Sequence, residues 1–263
     1  MGTSSCGPLP QRYLSFLPSI STSFANAFDP AHVQGIDLYP PPDNFVPPNC
    51  TFAVDDALKT WAFKSKFDLV HIRFVPMIFV SEQKLMVLSD LFGSFTHEQW
   101  RLLYKQAYNN LLPGGWIEQA ETGIHWTTDD GSIAPDSILG TWGDVCTRAC
   151  AKSGRNINTI DTFRSQIEAA GFTDMHEKLY KVPVGGWAKN PVLKEAGKYH
   201  KEQVMQGLEG YIMYVMTRYG EPEPWSAEEV HVFLAKARAE FAKPGLHCYL
   251  FKRRVWARKP VDS

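Results

Sequence analysis

Acidic side chains follow or lie within apolar segments that have the composition of buried strands. In an open α/β sheet, ligands bind outside the carboxyl ends of the strands, so acids at these ends are placed for chemistry. Carboxylates there can accept hydrogen bonds from ribose hydroxyls or from an adenine amino group. The alternative interpretation is that they are surface acids and turn caps. The residues concerned are Asp37, Asp55, Asp56, Glu118 and Glu121.

Two histidines also follow apolar strand residues and are candidates for proton removal. His71 lies in segment 67–73, and His125 follows Ile124. An unperturbed imidazole has a pKa of about 6.5, which suits a general base near neutral pH. The alternative is that each is a hydrogen-bonded core or rim residue, so both functions stay open.

Apolar strand-like segments alternate with amphipathic helix-like segments along most of the chain. This alternation predicts an α/β fold with a doubly wound, mostly parallel sheet covered on both faces. The final helix–strand–turn–strand pattern predicts an antiparallel C-terminal edge. The predicted strands lie near 13–17, 33–38, 51–54, 67–73, 116–121, 175–182 and 247–257.

Capping sequences predict where several helices begin. Thr96 with Gln99, and Ser226 with Glu229, have the spacing of a capping box. The first of these helices is expected to reach Leu112 and to end at 113–115, Pro-Gly-Gly, with glycine as the left-handed cap. Further helices are expected at 137–153 and 160–170.

Composition limits the classes of protein that fit this chain. Its 263 residues, 44% hydrophobic and 13% aromatic, favour one compact domain with a large core. The net charge of −1 gives no overall attraction to nucleic acid or to an anionic membrane. No apolar run approaches the roughly 18 residues of a membrane helix, and no secretion signal is recognisable. An intracellular protein is expected, in the cytoplasm or the nucleus.

Metal and disulfide chemistry is not expected. The five cysteines are odd in number and widely spread, and the histidines lack paired metal spacing. Cys146 and Cys150 share a helical spacing but have no matched second pair for zinc. The basic cluster 252–254 alternates with apolar residues, as expected for a solvated edge strand. No nucleic-acid partner is therefore predicted.

Several phrases of the sequence resemble class I S-adenosylmethionine methyltransferases, and more narrowly the fungal LaeA-like methyltransferases of secondary metabolism. The resemblance extends over about residues 23–260. The matching phrases are VQGIDL at 33–38, VPPN at 46–49, VDDA at 54–57, FDLVHIR at 67–73, LPGGWIEQ at 112–119, EKLYKVPVG at 177–185 and GLEG at 207–210.

This resemblance implies S-adenosylmethionine as cofactor and methyl transfer to a small-molecule secondary metabolite. Such a transfer depends chiefly on holding the two partners in line, and it need not use a base. The chain 1–263 is expected to form a single domain, with a helical lid over the substrate at about 190–243. A protein partner or a homodimer is a further expectation. The implied cofactor-binding residues are Asp37 and Leu38 for the ribose, Asp55, Asp56 and Ala57 for the adenine, and His71 and Arg73 for the cleft wall.

The N-terminal segment 1–22 departs from the family pattern. The glycine-rich loop that lets the cofactor approach the backbone should fall near 14–20, which contains Pro18 and no glycine. Three explanations are open: a rebuilt loop that holds the cofactor weakly, a truncated or mis-spliced version of a longer protein, or loss of methyl transfer. The last would leave a catalyst of cyclisation or rearrangement, or a regulatory binding protein.

Overall fold

The structure is a computed structural model that describes residues 12–15, 22, 25–27, 31–37, 46–73 and 95–262, with the backbone alone at 12–15 and 37. Seven strands form one sheet in the order β3-β2-β1-β4-β5-β7-β6. The strands are β1 Arg12–Ser15, β2 His32–Asp37, β3 Cys50–Val54, β4 Phe67–Arg73, β5 Leu111–Thr122, β6 Thr173–Pro183 and β7 Tyr249–Arg258. The named helices are α1 His97–Asn110, α2 Ile138–Lys152, α3 Thr159–Ala169, α4 Pro191–Tyr219 and α5 Ala227–Phe241.

The direction of the strands confirms the predicted fold class. Adjacent strands from β3 to β5 are parallel, and β7 pairs antiparallel with both β5 and β6. The short strand β1 lies between β2 and β4, so the central position of the sheet is filled. The carboxyl ends of β1 to β5 share one edge of the sheet.

One face of the sheet packs against α1 and α3. The strands contribute Val70, Ile117 and Val255 to a buried cluster, and the helices contribute Leu103 and Phe163. Side chains alternate between the two faces of a strand, so the residues between these apolar ones point to the opposite face. His71, Glu118 and Trp256 form one register row and lie on that opposite face.

Helix α1 begins as predicted and ends two residues earlier than predicted. Thr96 and Gln99 form the expected capping box. Leu111 then adopts an extended conformation and pairs with Phe67 of β4, because strand pairing replaces another helical turn. Gly114, with φ of +79°, lies in the irregularity of β5 and not at the helix end. The predicted glycine cap is therefore wrong.

Helices α2, α4 and α5 form a second apolar cluster outside the sheet. Trp142 of α2 stacks on Phe233 of α5 at 5.4 Å, and Trp126 meets Phe241 edge-on at 5.1 Å. The tyrosines and methionines of α4 mostly serve this cluster: Met216 is buried, and Met205, Tyr211, Met213 and Tyr219 pack against it, whereas Tyr199 is 70% exposed. These side chains of α4 therefore serve mainly to pack the helices against one another.

Strand β7 is an inner strand, which corrects the expectation for its basic residues. It lies between β5 and β6, so Lys252, Arg253 and Arg254 are not on a solvated edge. Arg254 lies 4.9 Å from the ring of Trp256, which stacks on His176 of β6 at 5.4 Å. These contacts tie β6 to β7 on the face opposite α1.

Candidate functional site

The carboxyl edge of the parallel strands brings together the predicted acidic positions. Asp37 pairs in register with Val54, so Asp37 and Asp55 lie at the ends of adjacent strands. Arg73 ends β4, two strands from β2. The side chain of Asp37, Leu38 and residues 16–20 of the expected glycine-rich loop lie outside the described part of the chain.

Asp55 and Asp56 have different environments although they are adjacent. The amide of Leu58 donates a hydrogen bond of 2.9 Å to Oδ1 of Asp56, which therefore closes a turn. No helix follows in residues 57–66, so Asp56 acts here as a turn cap, one of the two interpretations of these acids. Asp55 is exposed, and its Oδ1 accepts the amide of Asp56 at 2.8 Å. Its carboxylate retains acceptor capacity for a ligand.

The turn after β3 is joined to helix α1 by a glutamine that the sequence analysis did not identify. Gln106 of α1 accepts a hydrogen bond from the amide of Trp61 at 2.9 Å and donates to the carbonyl of Ala57 at 3.0 Å. The indole of Trp61 donates to the same carbonyl. The sequence feature that could have drawn attention to Gln106 is its position among the aromatic residues of a predicted helix. Its bonding partners are remote in sequence, so this feature does not identify them. Ala57 therefore lies on a rigid turn beside Asp55 and Asp56.

His71 belongs to a charged cluster that spans three adjacent strands. Its side chain is almost buried, with 8% of the residue exposed, and Nδ1 lies 3.3 Å from Oε1 of Glu118 on β5. Arg254 of β7 donates to the other carboxylate oxygen at 2.5 Å. A carboxylate beside Nδ1 favours the tautomer with hydrogen on Nδ1, which makes Nε2 the acceptor nitrogen of the neutral ring.

Opposing effects set the ionisation of this cluster. Burial raises the pKa of the Glu118 carboxyl, but hydrogen bonds from His71 and Arg254 outweigh it, and the net pKa is below the ordinary value. Burial lowers the pKa of Arg254, and its bond to Glu118 raises it above the ordinary value. Glu118 is therefore a carboxylate at neutral pH. It can orient His71 and stabilise an imidazolium if His71 takes a proton.

His125 does not join this cluster. It lies in the segment after β5, and its Nε2 is 3.4 Å from Oδ1 of Asp144 on α2. The ring also covers Gly143, where an added Cβ would overlap the imidazole. The structure therefore separates the two predicted catalytic histidines, and His125 connects the post-β5 segment to α2.

The described part of the chain offers no cluster of three or more His, Cys, Asp or Glu side chains suited to a metal ion. Cys50, Cys146, Cys150 and Cys248 are buried free thiols. Burial raises the pKa of all four, so their reactive thiolate forms are disfavoured at neutral pH. Within the same residues, no helix has the length and apolar character needed to cross a membrane.

Sequence comparison finds fungal proteins related to this chain over most of its length. Methyltransferase pytC of Aspergillus terreus is 30% identical over 228 residues, which are 87% of this chain and 64% of pytC. The secondary metabolism regulator LAE1 of Cochliobolus heterostrophus is 29% identical over 235 residues, 88% of this chain and 69% of the regulator. This chain is therefore similar to a fungal methyltransferase and to a fungal regulator of secondary metabolism.

The protein-methionine methyltransferase laeA of Emericella nidulans is also similar, with 26% identity over 243 residues, 90% of this chain and 58% of that protein. The chain thus spans 58–69% of the length of these relatives. No family model matches it. The resemblance identified from its sequence phrases is confirmed by these relatives.

The sequence analysis did not identify the residues that complete the site. Glu118 was noted as an acid on a strand, but its partners His71 and Arg254 depend on register. Gln106 and Lys252 had no recognisable motif. Lys252 was noted only as part of a basic run, although it lies beside Thr122 at the carboxyl edge of β5.

Proposed function

We propose that this protein transfers a methyl group from S-adenosylmethionine to a small secondary metabolite. The adjacent placement of Asp37 and Asp55 at the carboxyl ends of β2 and β3 is the observation that carries the proposal. Two acids at neighbouring strand ends suit the ribose and adenine of a nucleoside cofactor. The methyltransferase relatives support the same chemistry.

The residues of the edge fit the proposed cofactor. Asp37 and Leu38 would hold the ribose, and Asp55 the amino group of the adenine. Ala57 would border the adenine from a turn that Asp56 and Gln106 keep in place. When bound, the cofactor supplies an electrophilic methyl group. The chain's own contribution is to hold the acceptor in line with it and to exclude water.

His71 is the proposed proton acceptor for an acceptor group that must lose a proton. Glu118 orients the ring and stabilises its protonated form, and Arg254 keeps Glu118 ionised. His125 is the weaker candidate because its contacts are with α2. Arg73 would form the cleft wall beside His71. The helices α4 and α5, with α2, are the proposed substrate lid within one methyltransferase-like domain.

Calorimetry with S-adenosylhomocysteine tests the proposal. We expect micromolar binding to the wild-type protein and loss of binding in Asp37→Ala. Asp136→Ala is the matched control, because Asp136 is exposed and lies before α2, away from the strand ends. A folded wild-type sample that does not bind, or equal binding by wild type and Asp37→Ala, would contradict the proposal.

The second candidate is a non-methylating protein of the same fold, either a catalyst of cyclisation or rearrangement or a regulatory binding protein. The absence of glycine from positions 14–20 favours it, since a glycine-rich backbone normally approaches the cofactor there. Turnover of a metabolite without consumption of methyl donor would identify the catalyst. For either function we propose an intracellular location, and a protein partner or homodimer is compatible with both.

A further inference from the structure

Strand β6 is a long strand at one end of the sheet. It extends from Thr173 to Pro183 and, among the described strands, pairs with β7 alone. Its residues 176–179 are exposed, and Leu179 has 51% of its surface exposed. An exposed edge strand presents unpaired backbone N–H and C=O groups, which are a template for pairing with another strand. The outer edge of β6 is therefore a candidate interaction surface.

The hydrogen bonds to β7 show which backbone groups of β6 point outward. The amide of Val184 donates to the carbonyl of Cys248 at 3.0 Å, and these two residues continue the register of β6 with β7. Hydrogen-bonded and non-hydrogen-bonded positions alternate along an antiparallel pair. The even-numbered residues in the regular part of β6 therefore bond to β7, whereas the N–H and C=O groups of Glu177, Leu179 and Lys181 point away from the sheet.

Both ends of this free edge are closed. Toward the carboxyl end, Pro183 has no N–H, and its carbonyl oxygen lies 3.0 Å from Nδ1 of His200 on α4. The amide of Gly185 donates to the carbonyl of Gly197 on the same helix at 2.8 Å. Toward the amino end, the register with β7 is irregular between 173 and 176. Between these ends, no backbone group of the described residues is bonded to the outer side of β6.

The side chains of this edge are complementary to a second copy of the same strand. When two copies of β6 run antiparallel about a two-fold axis at Leu179, Glu177 of each copy lies opposite Lys181 of the other. Directly opposed residues of neighbouring strands point to the same face, and opposite charges there are favourable. Leu179 then lies opposite its own counterpart. Each of these three opposed pairs would exchange both of its N–H···O bonds, because all of these backbone groups point outward.

The charges favour this register over the neighbouring ones. An axis at Glu177, Lys178 or Lys181 would place that residue opposite its own counterpart, and like charges directly opposite each other are destabilising. An axis at Tyr180 would place Glu177 opposite Pro183, where α4 already closes the edge. The axis between Glu177 and Lys181 is the one that brings these two opposite charges together.

The ion pairs within each copy would join those of the interface. Arg164 of α3 lies 3.0 Å from Glu177, and Lys181 lies 2.6 Å from a carboxylate oxygen of Asp129. Across the two-fold axis, positive and negative groups would alternate in the order Asp129, Lys181, Glu177 of the second copy and Arg164 of the second copy. A network of several surface charges contributes more than an isolated pair. The interface would therefore extend contacts that each copy already makes.

We infer that two copies of this chain associate through β6 into one continuous sheet, with the two-fold axis at Leu179. The axis is perpendicular to the sheet and uses the same surface of both copies. It reverses the direction of the strands, so the carboxyl edges of the two copies point in opposite directions. Each copy keeps its own candidate site. The inference is thus independent of the proposed function, and S-adenosylhomocysteine should bind monomer and dimer equally.

Charge reversal tests the pairing in the 263-residue chain. Sedimentation equilibrium over a range of concentrations should show a reversible monomer–dimer equilibrium for wild type. Lys181→Glu opposes two glutamates at each charged pair, and Glu177→Lys opposes two lysines, so each variant should dimerise roughly 10-fold or more weakly. Lys178→Glu is the matched control, because its side chain lies on the other face, opposite Tyr180 of the second copy, and it should dimerise as wild type does.

An equimolar mixture of the two weakened variants separates pairing from folding. Each reversed residue then faces an opposite charge on the other variant, so a heterodimer should form more tightly than either homodimer. A variant that had merely lost its fold would not be rescued by mixing. A mixture no more dimeric than the separate variants would overturn the inference.

Hydrogen exchange locates the interface. The amides of Glu177, Leu179 and Lys181 should exchange quickly in dilute samples and become protected as concentration rises, whereas the amide of Tyr180, bonded to β7, should be protected in both. Leu179→Pro removes the central outward N–H without removing a bond to β7, so this variant should fold and stay monomeric.

Two further results would overturn the inference. A wild-type chain that stays monomeric up to about 1 mM would show that the charges of β6 protect a solvent-exposed edge instead of pairing it. A dimer whose concentration-dependent protection lies outside β6 would assign the association to another surface.

Discussion

The Nδ1 atom of His71 lies 3.3 Å from Oε1 of Glu118, although the two residues belong to different strands and are separated by a helix. The parallel register of β4 and β5 places them directly opposite each other. Arg254, from the last strand, completes the cluster. The ionisation of Glu118 therefore affects both the orientation of His71 and the stability of the sheet.

Replacement of Glu118 by glutamine should destabilise the protein at pH 7. Arg254 and His71 would lose their carboxylate partner in a largely buried position, at a cost of about 1–3 kcal/mol in the free energy of unfolding. Urea denaturation measures this loss. Glu177→Gln is the control, because Glu177 forms an exposed pair with Arg164 and should contribute less than about 1 kcal/mol.

The same variant gives a pH test of the cluster. The folded-state pKa of Glu118 is below its ordinary value of 4.5, so its stabilisation is complete above pH 4.5 and is lost as pH falls through the folded-state pKa. The difference in unfolding free energy between wild type and Glu118→Gln should therefore narrow below pH 4.5. A difference that widens on acidification would contradict this assignment.

Removal of the Gln106 side chain should loosen the turn after β3. In Gln106→Ala, the amide of Trp61 loses its acceptor and the carbonyl of Ala57 loses the donor supplied by Gln106, at a cost of about 1–3 kcal/mol. Hydrogen exchange should show faster exchange of the Trp61 amide. Asn110→Ala is the matched control, since the Asn110 side chain donates to the carbonyl of Gln106 within α1, and it should leave the Trp61 amide protected.

The aromatic cluster of the helical region should depend strongly on Trp142. This side chain is fully buried and stacks on Phe233, so Trp142→Ala should cost about 3–5 kcal/mol through lost burial and a cavity. Tyr199→Ala, at an exposed position of α4, should change stability by less than about 0.5 kcal/mol. Similar chemical denaturation curves for the two variants would refute the packing assigned to this cluster.

A double-mutant cycle tests whether the imidazole of His125 packs against Gly143. Gly143→Ala adds a methyl group that overlaps the imidazole, so this variant should be less stable than wild type. With His125→Ala also present, the same glycine replacement should instead stabilise α2 by about 0.5–1 kcal/mol, because alanine is the better helix former. An unchanged sign in the two backgrounds would show that His125 does not fill this space.

The His125→Ala variant alone also reports on the proposed function. If His125 only anchors the post-β5 segment to Asp144, its removal should leave the pH dependence of turnover unchanged. Replacement of His71 by glutamine should instead lower turnover and change its pH dependence, because the proposed proton acceptor is lost. A pH profile altered by His125→Ala and not by His71→Gln would reverse the two assignments.

The sequence by itself determined the elements and their order. Thr96, Ser137 and Ser226 each cap a helix where the local pattern predicts one, because a cap and the amides it satisfies are only a few residues apart. Period-two and helical patterns likewise identified the sheet and its acidic strand ends. The position of Asp37 and Asp55 at neighbouring strand ends follows from this order.

The tertiary structure decided which residues work together. Glu118 and Arg254 are 136 positions apart, and no local rule specifies the register that joins them. The end of α1 at Asn110 was likewise decided by pairing of Leu111 with Phe67. The proline and glycines at 113–115 had predicted a later end. Local hydrogen bonding and hydrophobic period are encoded within a few residues, whereas strand register depends on the packing of the whole sheet.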